Sequence, residues 1–331
     1  MLCYSTPKYN NMTIKEFKQM LQASMKSKDT EEWLDVYFTR PIGLVFALFW
    51  NKLGVHPNAI TILSIFLGVG AGFMFYHTHL IYNIVGVLLL MFANFCDSTD
   101  GQMARLTGKK TLIGRMLDGF SGDLWFFAIY VALCLRMQGQ FIPGTSSHWG
   151  IAIWVLAIMA GIMCHSPQSS LADYYRQIHL FFLMGKEGSE LDNYAQQRAV
   201  YESLPKKKWL ERLFFYNYAN YCKSQEKRTP RFQEFFKKYQ FMLNEGREAG
   251  NDLTLRIRDQ FLTGSRPLMK LTNILTFNVR AITIYVTCLL NIPWVYFLVE
   301  IIIMSLIYIY MHRKHENLCQ RLTEQLNQTE A

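Results

Sequence analysis

Long apolar segments that carry almost no charge constrain the fold of this chain most strongly. Such segments cover residues 60–76, 81–95 and 295–310, whereas residues 206–266 are dense in charged side chains. A helix needs about 20 apolar residues to cross the hydrocarbon core of a bilayer. Because a backbone in lipid must satisfy its hydrogen bonds internally, helices are the expected form of these segments. The pattern predicts an all-α integral membrane protein with a polar part outside the bilayer.

The apolar segments predict six membrane-spanning helices. In chain order the predicted spans are residues 59–76, 81–96, 118–135, 150–164, 274–290 and 293–310. The first span carries a stripe of small residues, Gly68, Gly70, Ala71 and Gly72, which favours close helix packing. Before the spans, residues 12–26 predict a polar surface helix. Residues 31–53, interrupted by Pro41 and Gly43, predict an amphipathic helix lying on the membrane.

The distribution of Lys and Arg predicts which side of the membrane each loop faces. The basic segments, which all fall on one face of the six-span arrangement, are residues 105–115, 176–266 and 313–314. The opposite loops, residues 77–80, 138–148 and 290–292, contain no Lys or Arg, and Arg136 is the one exception at that end. We therefore expect both termini and the basic face, including any active site there, to be cytoplasmic.

These predictions divide the chain into four parts. They are N-terminal and interfacial helices (1–57), the first four spans (58–165), a cytoplasmic helical insertion (166–268), and the last two spans with a tail (269–331). The insertion mixes apolar helical faces with basic positions. Its lysine run, Lys206 to Lys208, is interpreted as a solvated positive face or as a site that recruits anionic lipid or a phosphorylated acceptor.

Composition narrows the class of partner. The net charge of +9 is compatible with nucleic acid, an anionic membrane or a phosphorylated substrate, and the apolar spans argue against nucleic acid. The seven cysteines are scattered without a C-x-x-C pair, so the sequence predicts neither disulfides nor a zinc site.

Four carboxylates cluster where the second span ends and the third begins: Asp97, Asp100, Asp118 and Asp123. Carboxylates at the edge of hydrocarbon are costly and are candidates for function. Asp97 and Asp100 share one helix face, and the other pair would come from the neighbouring antiparallel helix. Converging carboxylates repel unless cations lie between them, and oxygen ligands favour Mg²⁺, Mn²⁺ or Ca²⁺. The alternative interpretation is a polar cap at the helix ends.

The order D-x-x-D-G-x-x-A-R, eight residues, then G-x-x-x-D resembles the signature of the CDP-alcohol phosphotransferase family. The matching residues, at the family's spacing, are Asp97, Asp100, Gly101, Ala104, Arg105, Gly114 and Asp118. Pro57-Asn58 and Thr61 also resemble the family's entry to its first span. The insertion from residue 166 to 267 lies outside the resemblance.

The resemblance implies a two-metal centre, with Mg²⁺ or Mn²⁺, ligated by Asp97, Asp100 and Asp118. It also implies a bound cytidine nucleotide and a homodimer. The residues that would line the nucleotide are Asn58, Thr61, Gly101, Ala104, Arg105 and Gly114. A fourth family aspartate, four residues after the third, would be both a metal ligand and the general base.

The sequence departs from the family at that fourth aspartate. Position 122 is Gly, and the next carboxylate is Asp123. One extra residue rotates the side chain by about 100° on a regular helix. A π-bulge, made easy by Gly119 and Gly122, would restore the register. We therefore predict a bulge and assign Asp123 as metal ligand and catalytic base; the rival interpretation is an inactive site.

The predicted function is transfer of a phosphatidyl or other phospho-alcohol group from a CDP-linked donor to a hydroxyl acceptor in phospholipid biosynthesis, with release of CMP. CDP-diacylglycerol is the favoured donor. Two alternatives stay open: transfer from CDP-choline or CDP-ethanolamine to a lipid alcohol, and a non-catalytic membrane scaffold or transporter with an ion-binding Asp cluster. Arg280, near the fifth span, is interpreted either as a ligand of a substrate phosphate or as an arginine extending to the interface.

Overall fold

The computed structural model describes residues 13–24, 27, 29–108, 111–245 and 251–330, and this part of the chain is built from helices. It forms two compact units. The first runs up to Ile158 and includes Ala281–Phe297, and the second comprises Met159–Arg280 and Leu298 onwards. The four-part division expected from the sequence stays a prediction. Residues 12, 25 and 26 of the predicted surface helix lie outside the described residues.

The first unit is organised around three long helices. Its helices are α1 (Ile14–Ser24), α2 (Arg40–Lys52), α3 (Pro57–Phe75), α4 (Leu80–Thr107), α5 (Leu112–Met137), α6 (Gly150–Ile158), α12 (Phe277–Leu289, whose first residues belong to the second unit) and α13 (Trp294–Leu298). Helix α3 packs against both α4 and α5. A Cβ atom on Gly68 would lie 2.1 Å from the indole of Trp125, and one on Gly72 would lie 3.0 Å from the backbone of Ala128. The predicted small-residue stripe is therefore confirmed at these two positions, where only glycine admits α5.

Five helices among the described residues are long and apolar enough to cross a membrane. They are Pro57–Phe75, Leu80–Thr107, Gly114–Met137, Gly150–Met184 and Trp294–Gln328. The predicted span at residues 274–290 corresponds to α12, which has 13 residues. Because about 20 residues are needed to cross the hydrocarbon core, α12 is not among the five. The count of six spans is not confirmed.

The segment predicted to be interrupted at Pro41 is helical through it. A π-helical turn, Asp35–Thr39, leads directly into α2, and Pro41 lies in the first turn of that helix. A proline is tolerated there because the first N–H groups of a helix have no intrahelical acceptor. Val45 and Phe49 of α2 are exposed while Leu44 and Ala47 are buried.

Arg136, the exception to the charge asymmetry, is buried inside the first unit. Its guanidinium donates to the Phe75 carbonyl at 2.9 Å, to Asn83 Oδ1 at 2.8 Å and to Asn291 Oδ1 at 2.6 Å. Phe75 is the last residue of α3, and the terminal carbonyls of a helix lack N–H donors within the helix. Arg136 therefore caps a helix end and does not contribute a free positive charge to a loop.

The second unit contains the remaining helices. They are α7 (Ser166–Met184), α8 (Tyr194–Ser203), α9 (Trp209–Arg228), α10 (Pro230–Glu245), α11 (Asn251–Ile274) and α14 (Ser305–Glu330), with π-helical segments at Met159–His165 and Val299–Met304. Aromatic side chains fill its core: the Phe182 and Phe261 rings stack at 4.1 Å, and Phe235 packs on Phe261 at 5.8 Å. Residues 166–268 are thus helical over most of their length, as the sequence predicts, and pack with α14.

Candidate active site

Three of the four predicted carboxylates converge in the first unit. One oxygen each of Asp97 and Asp100, on α4, and Asp118, on α5, lie within 4.8 Å of one another. Asp97 and Asp100 are one turn apart on α4, which carries both to the side facing α5. Asp100 is only 4% exposed, whereas Asp118 is open to solvent. The cluster is therefore closed to solvent at Asp100 and open to solvent at Asp118.

Thr61 holds the buried carboxylate. The Thr61 hydroxyl, itself buried on α3, donates a hydrogen bond to Oδ2 of Asp100. The sequence interpretation placed Thr61 beside the nucleotide, and the structure places it behind the acidic cluster. A carboxylate that accepts a hydrogen bond from a neighbouring helix is fixed in orientation, which is the usual arrangement around metal ligands.

Ser121 performs a similar task for Asp97. The sequence suggested Ser121 only as a residue that eases a bulge, together with Gly119 and Gly122, and not as a partner of the carboxylates. Its hydroxyl lies 3.0 Å from Asp97 Oδ1 and 2.8 Å from the Asp118 carbonyl, and its side chain is buried. Residues three apart share a face of a helix. The position of Ser121 three residues after Asp118 is therefore a signal that could have identified it.

Asp123 is not part of this group. Helix α5 is α-helical from Leu112 to Met137, so the predicted π-bulge is wrong. A Cβ atom on Gly119 or Gly122 would meet no atom within 4 Å, so no neighbour forces a distortion there. On a regular helix a residue five positions on points about 140° away. Asp123 is exposed on α5, and its assignment as ligand and base stays a prediction.

Two of the predicted nucleotide residues meet at the start of α5. A Cβ atom on Gly114 would lie 2.8 Å from Asn58 Oδ1 and 3.0 Å from Thr111 Oγ1. Thr111 caps α5 by accepting a hydrogen bond of 2.9 Å from the Gly114 N–H. Asn58 belongs to the first turn of α3. Glycine at 114 leaves room for the Asn58 side chain of α3 against the backbone of α5.

Arg105 supplies a positive charge beside the carboxylates. Its guanidinium lies 3.5 Å from the Cβ position of Gly101, one turn earlier on α4, and Ala104 between them is half-buried. Nε and Nη2 of Arg105 are buried and have no hydrogen-bond partner among the described residues. Buried polar atoms are normally satisfied, and a guanidinium binds phosphate oxygens well. The unsatisfied nitrogens therefore fit an anionic ligand.

The donor set of the cluster fits a hard divalent cation. The three grouped residues offer only carboxylate oxygens, which suit Mg²⁺ or Mn²⁺ better than zinc. The two carboxylates on α4 accept hydrogen bonds from Thr61 and Ser121, as ligands supported by a second layer of residues do. The geometry is consistent with the metal centre that the sequence predicts.

Arg280 is buried in an ion pair. The sequence suggested that it binds a substrate phosphate or extends to the membrane interface, and its surroundings match neither. It is 1% exposed in the second unit, where Nε donates to Glu300 Oε1 at 2.8 Å and Nη2 to Gln168 Oε1 at 2.8 Å. Nη1 donates to the carbonyl of Leu275. A phosphate would have to displace these partners, and the side chain does not extend to an interface. The arrangement is that of a structural ion pair.

Comparison with known proteins agrees with the geometry. Residues 54–180 match the model of the CDP-alcohol phosphatidyltransferase family, a range that includes all the site residues from Asn58 to Asp123 and excludes Arg280. Over 87 residues the chain is 39% identical to an uncharacterized protein of Aquifex aeolicus (strain VF5). That alignment covers 25% of this chain and 43% of the Aquifex protein, so the chain spans less than half of that relative.

Proposed function

We propose that this chain, whose residues 54–180 match the model of the CDP-alcohol phosphatidyltransferase family, transfers a phosphatidyl group from CDP-diacylglycerol to a hydroxyl acceptor and releases CMP. The observation that carries the proposal is the convergence of Asp97, Asp100 and Asp118 within 4.8 Å, between two helices that are candidate spans. Two antiparallel helices that both carry aspartates form a site at the membrane edge, where a lipid-linked donor and a water-soluble acceptor can meet.

Asp97, Asp100 and Asp118 are proposed to hold Mg²⁺ or Mn²⁺. A bound divalent cation neutralises pyrophosphate charge and stabilises the charge that develops on the leaving oxygen. The hydrogen bonds from Thr61 and Ser121 keep two of these carboxylates in one orientation before substrate binds. This preorganisation favours the transition state because little reorientation is then needed during reaction.

Arg105 is proposed to bind the phosphates of the donor through its two unsatisfied nitrogens. The lack of a side chain at Gly101 leaves the α4 backbone open to the nucleotide, and Ala104 adds little bulk next to it. Asn58 and Gly114, which lie against each other at the start of α5, are proposed to contact the cytidine. In-line displacement requires that the reacting groups be held in register, which these contacts provide.

The proton of the acceptor hydroxyl is proposed to pass to Asp123, the other carboxylate of α5. As the acceptor oxygen forms its bond to the phosphorus distal to cytidine, the bond from that phosphorus to the CMP oxygen breaks and CMP leaves. Asp123 is exposed, and the open space beside Gly119 and Gly122 leaves room for an acceptor. A base must lie within hydrogen-bond reach of the hydroxyl when substrate is bound.

The acceptor is proposed to be a water-soluble alcohol, because the polar part of the chain is basic and Asp118 of the acidic cluster is exposed. The topology proposed with it has α12 as a sixth span, an amphipathic N-terminal region on the membrane, and both termini and the active site in the cytoplasm. The burial of Arg136 removes the one charge that opposed this orientation. A reporter that is active only in the cytoplasm, fused after Ala331, tests this topology.

A homodimer is also proposed, and the family resemblance alone supports it.

The test is CMP release by the purified full chain in lipid nanodiscs. We expect release from CDP-diacylglycerol that requires Mg²⁺ or Mn²⁺ and one alcohol of a screened panel. Asp100→Asn should abolish it, whereas Asp252→Asn, an exposed carboxylate of α11 that pairs with Arg256, should leave it unchanged. Turnover of CDP-choline or CDP-ethanolamine with a lipid alcohol instead would overturn the donor assignment and retain the reaction class.

A second candidate function is a non-catalytic scaffold or transporter with an ion-binding Asp cluster. The observation that favours it is the place of Asp123 outside the three-carboxylate group. The two functions differ in what Asp123→Asn does. Loss of CMP release with unchanged Mn²⁺ binding supports the transferase with Asp123 as base. Absence of release by the wild-type chain from every CDP-alcohol, together with Mn²⁺ binding, supports the scaffold.

A further inference from the structure

Helix α9 of the second unit has two apolar faces, and only one of them is buried. Phe215, Ala219 and Cys222 point into the unit. Trp209, Leu213 and Tyr216 are 63%, 53% and 45% exposed. Their spacing of four and three residues places them on one side of the helix, which we call the outer face of α9. An exposed cluster of large apolar side chains on a helix marks an interaction surface.

The outer face begins next to a positively charged run. Lys206, Lys207 and Lys208 precede α9 directly; all three are exposed, and Lys208 pairs with Glu211 at 3.1 Å. The Arg212 guanidinium donates to the carbonyls of Leu204 at 2.5 Å and Tyr201 at 3.1 Å, which ties the segment carrying the lysines to α9. The lysines and the outer face are therefore presented together.

The far end of α9 is anchored where a candidate span leaves the apolar region. Gln225 Nε2 donates to the Ser170 carbonyl at 2.9 Å, and Arg228 Nη1 donates to the Pro167 carbonyl at 3.0 Å. Pro167 and Ser170 follow within six residues of Cys164, the predicted end of the fourth span. The C-terminal end of α9 is thus held next to residues that follow the predicted end of the fourth span.

The residue types on the outer face and in the adjacent lysine run favour a membrane as the partner of this surface. Trp and Tyr concentrate at membrane interfaces because their rings are both apolar and polar, and helices that lie in the interface combine such residues with lysines. Lysines near an anionic leaflet are attracted to its negatively charged headgroups. A protein partner would need matching acidic groups, whereas the leaflet of a membrane crossed by the candidate spans can supply anionic headgroups and an apolar boundary together.

We propose that the outer face of α9 rests on the surface of the membrane that the chain spans, and that Lys206, Lys207 and Lys208 bind anionic lipid headgroups there. Trp209, Leu213 and Tyr216 would enter the boundary between headgroups and acyl chains. The second unit would then be held against the bilayer at two places, the candidate spans and α9. This inference is independent of the catalytic proposal, because none of these residues belongs to the acidic site.

The experiment places the full chain in nanodiscs of zwitterionic lipid, with or without anionic phosphatidylglycerol, using acyl chains brominated near the headgroup or unbrominated. The fluorescence of Trp209 is obtained as the difference between the wild type and Trp209→Phe. In anionic discs we expect bromination to quench this difference signal at least twofold. A variant with Lys206→Ala, Lys207→Ala and Lys208→Ala should lose most of the quenching. Lys237→Ala, an exposed lysine of α10, should retain it.

Three outcomes would overturn the proposal. The first is a Trp209 signal that is equal in brominated and plain anionic discs. The second is quenching that persists in the triple lysine variant, which would exclude headgroup recognition by these lysines. The third is a Trp209 emission that shifts to the blue only when two protomers share a disc, since a second copy would then cover the face. Equal circular dichroism of all variants confirms that each is folded.

Discussion

The hydroxyl of Ser121 on α5 lies 3.0 Å from Oδ1 of Asp97 on α4, so a neutral side chain ties together the two helices that carry the acidic cluster. Ser121 is buried, and its hydroxyl orients a carboxylate of the cluster; we do not assign it as a metal ligand. Its effect is to keep the Asp97 carboxylate turned towards Asp100 and Asp118. The arrangement of the cluster depends on this contact as well as on the aspartates themselves.

Replacing Ser121 by Ala should therefore weaken metal binding without removing a ligand. Loss of a residue that orients a metal ligand lowers metal affinity or activity by about 10–100-fold. The measurement is the Mg²⁺ concentration that gives half-maximal CMP release, which should rise. Ser224→Ala on α9 is the control and should leave it unchanged. A Mg²⁺ titration of Ser121→Ala that superimposes on the wild type would contradict this role.

Thr61→Val tests the contact from the third helix. Valine has nearly the shape of threonine but cannot donate a hydrogen bond, so the buried Asp100 carboxylate loses its partner. We expect activity to fall by about 10–100-fold, as for other residues that support a metal ligand. Thr61→Ser keeps the hydroxyl and should recover most of the activity. Equal activities of the Val and Ser variants would show that the hydrogen bond is irrelevant.

Arg105→Lys tests recognition of the donor phosphates. Lysine keeps the charge but loses the planar fork that binds phosphate through two parallel hydrogen bonds. A hydrogen bond to a charged group contributes about 1.5–3 kcal/mol, so the KM for the CDP-linked donor should rise by about 10–100-fold. The KM for the acceptor alcohol should change little. Arg198→Lys, on α8, is the control. An unchanged donor KM would remove Arg105 from the binding site.

Arg136→Met should affect stability and not substrate binding. The change leaves the Phe75 carbonyl and the Asn83 and Asn291 side chains of the first unit without their donor. Each buried polar group left unsatisfied costs about 1–3 kcal/mol. The thermal unfolding temperature in detergent should fall by several degrees, with the donor KM unchanged. Arg313→Met, an exposed arginine of α14, should keep the wild-type Tm.

The acidic cluster was predictable because two of its residues are three apart on one helix and the third is near the start of the next helix. Ser121 follows the same rule of spacing and could have been included. The short length of α12 was not predictable, because hydropathy counts apolar residues without locating the ends of a helix. Helix α11 ends at Ile274, and α12 begins only at Phe277. The Arg280 guanidinium binds the carbonyl of Leu275 in the intervening turn.

The predicted bulge in α5 failed for a different reason. It was inferred from the family spacing of the fourth aspartate, which assumes that Asp123 must join the other three. In the structure, space is open beside Gly119 and Gly122, so no packing contact there would stabilise a distorted helix. The environment of Arg280 could not be predicted, because a sequence gives no sign of a distant carboxylate partner and Glu300 lies 20 residues away.

The most direct test of the account is Mg²⁺-dependent release of CMP from CDP-diacylglycerol by the wild type and by Asp97→Asn, measured together with Mn²⁺ binding. The account predicts acceptor-dependent release by the wild type, and loss of both release and tight Mn²⁺ binding in Asp97→Asn. Release that persists in Asp97→Asn at the same Mg²⁺ concentration would contradict the central claim that the three-carboxylate cluster is the catalytic centre.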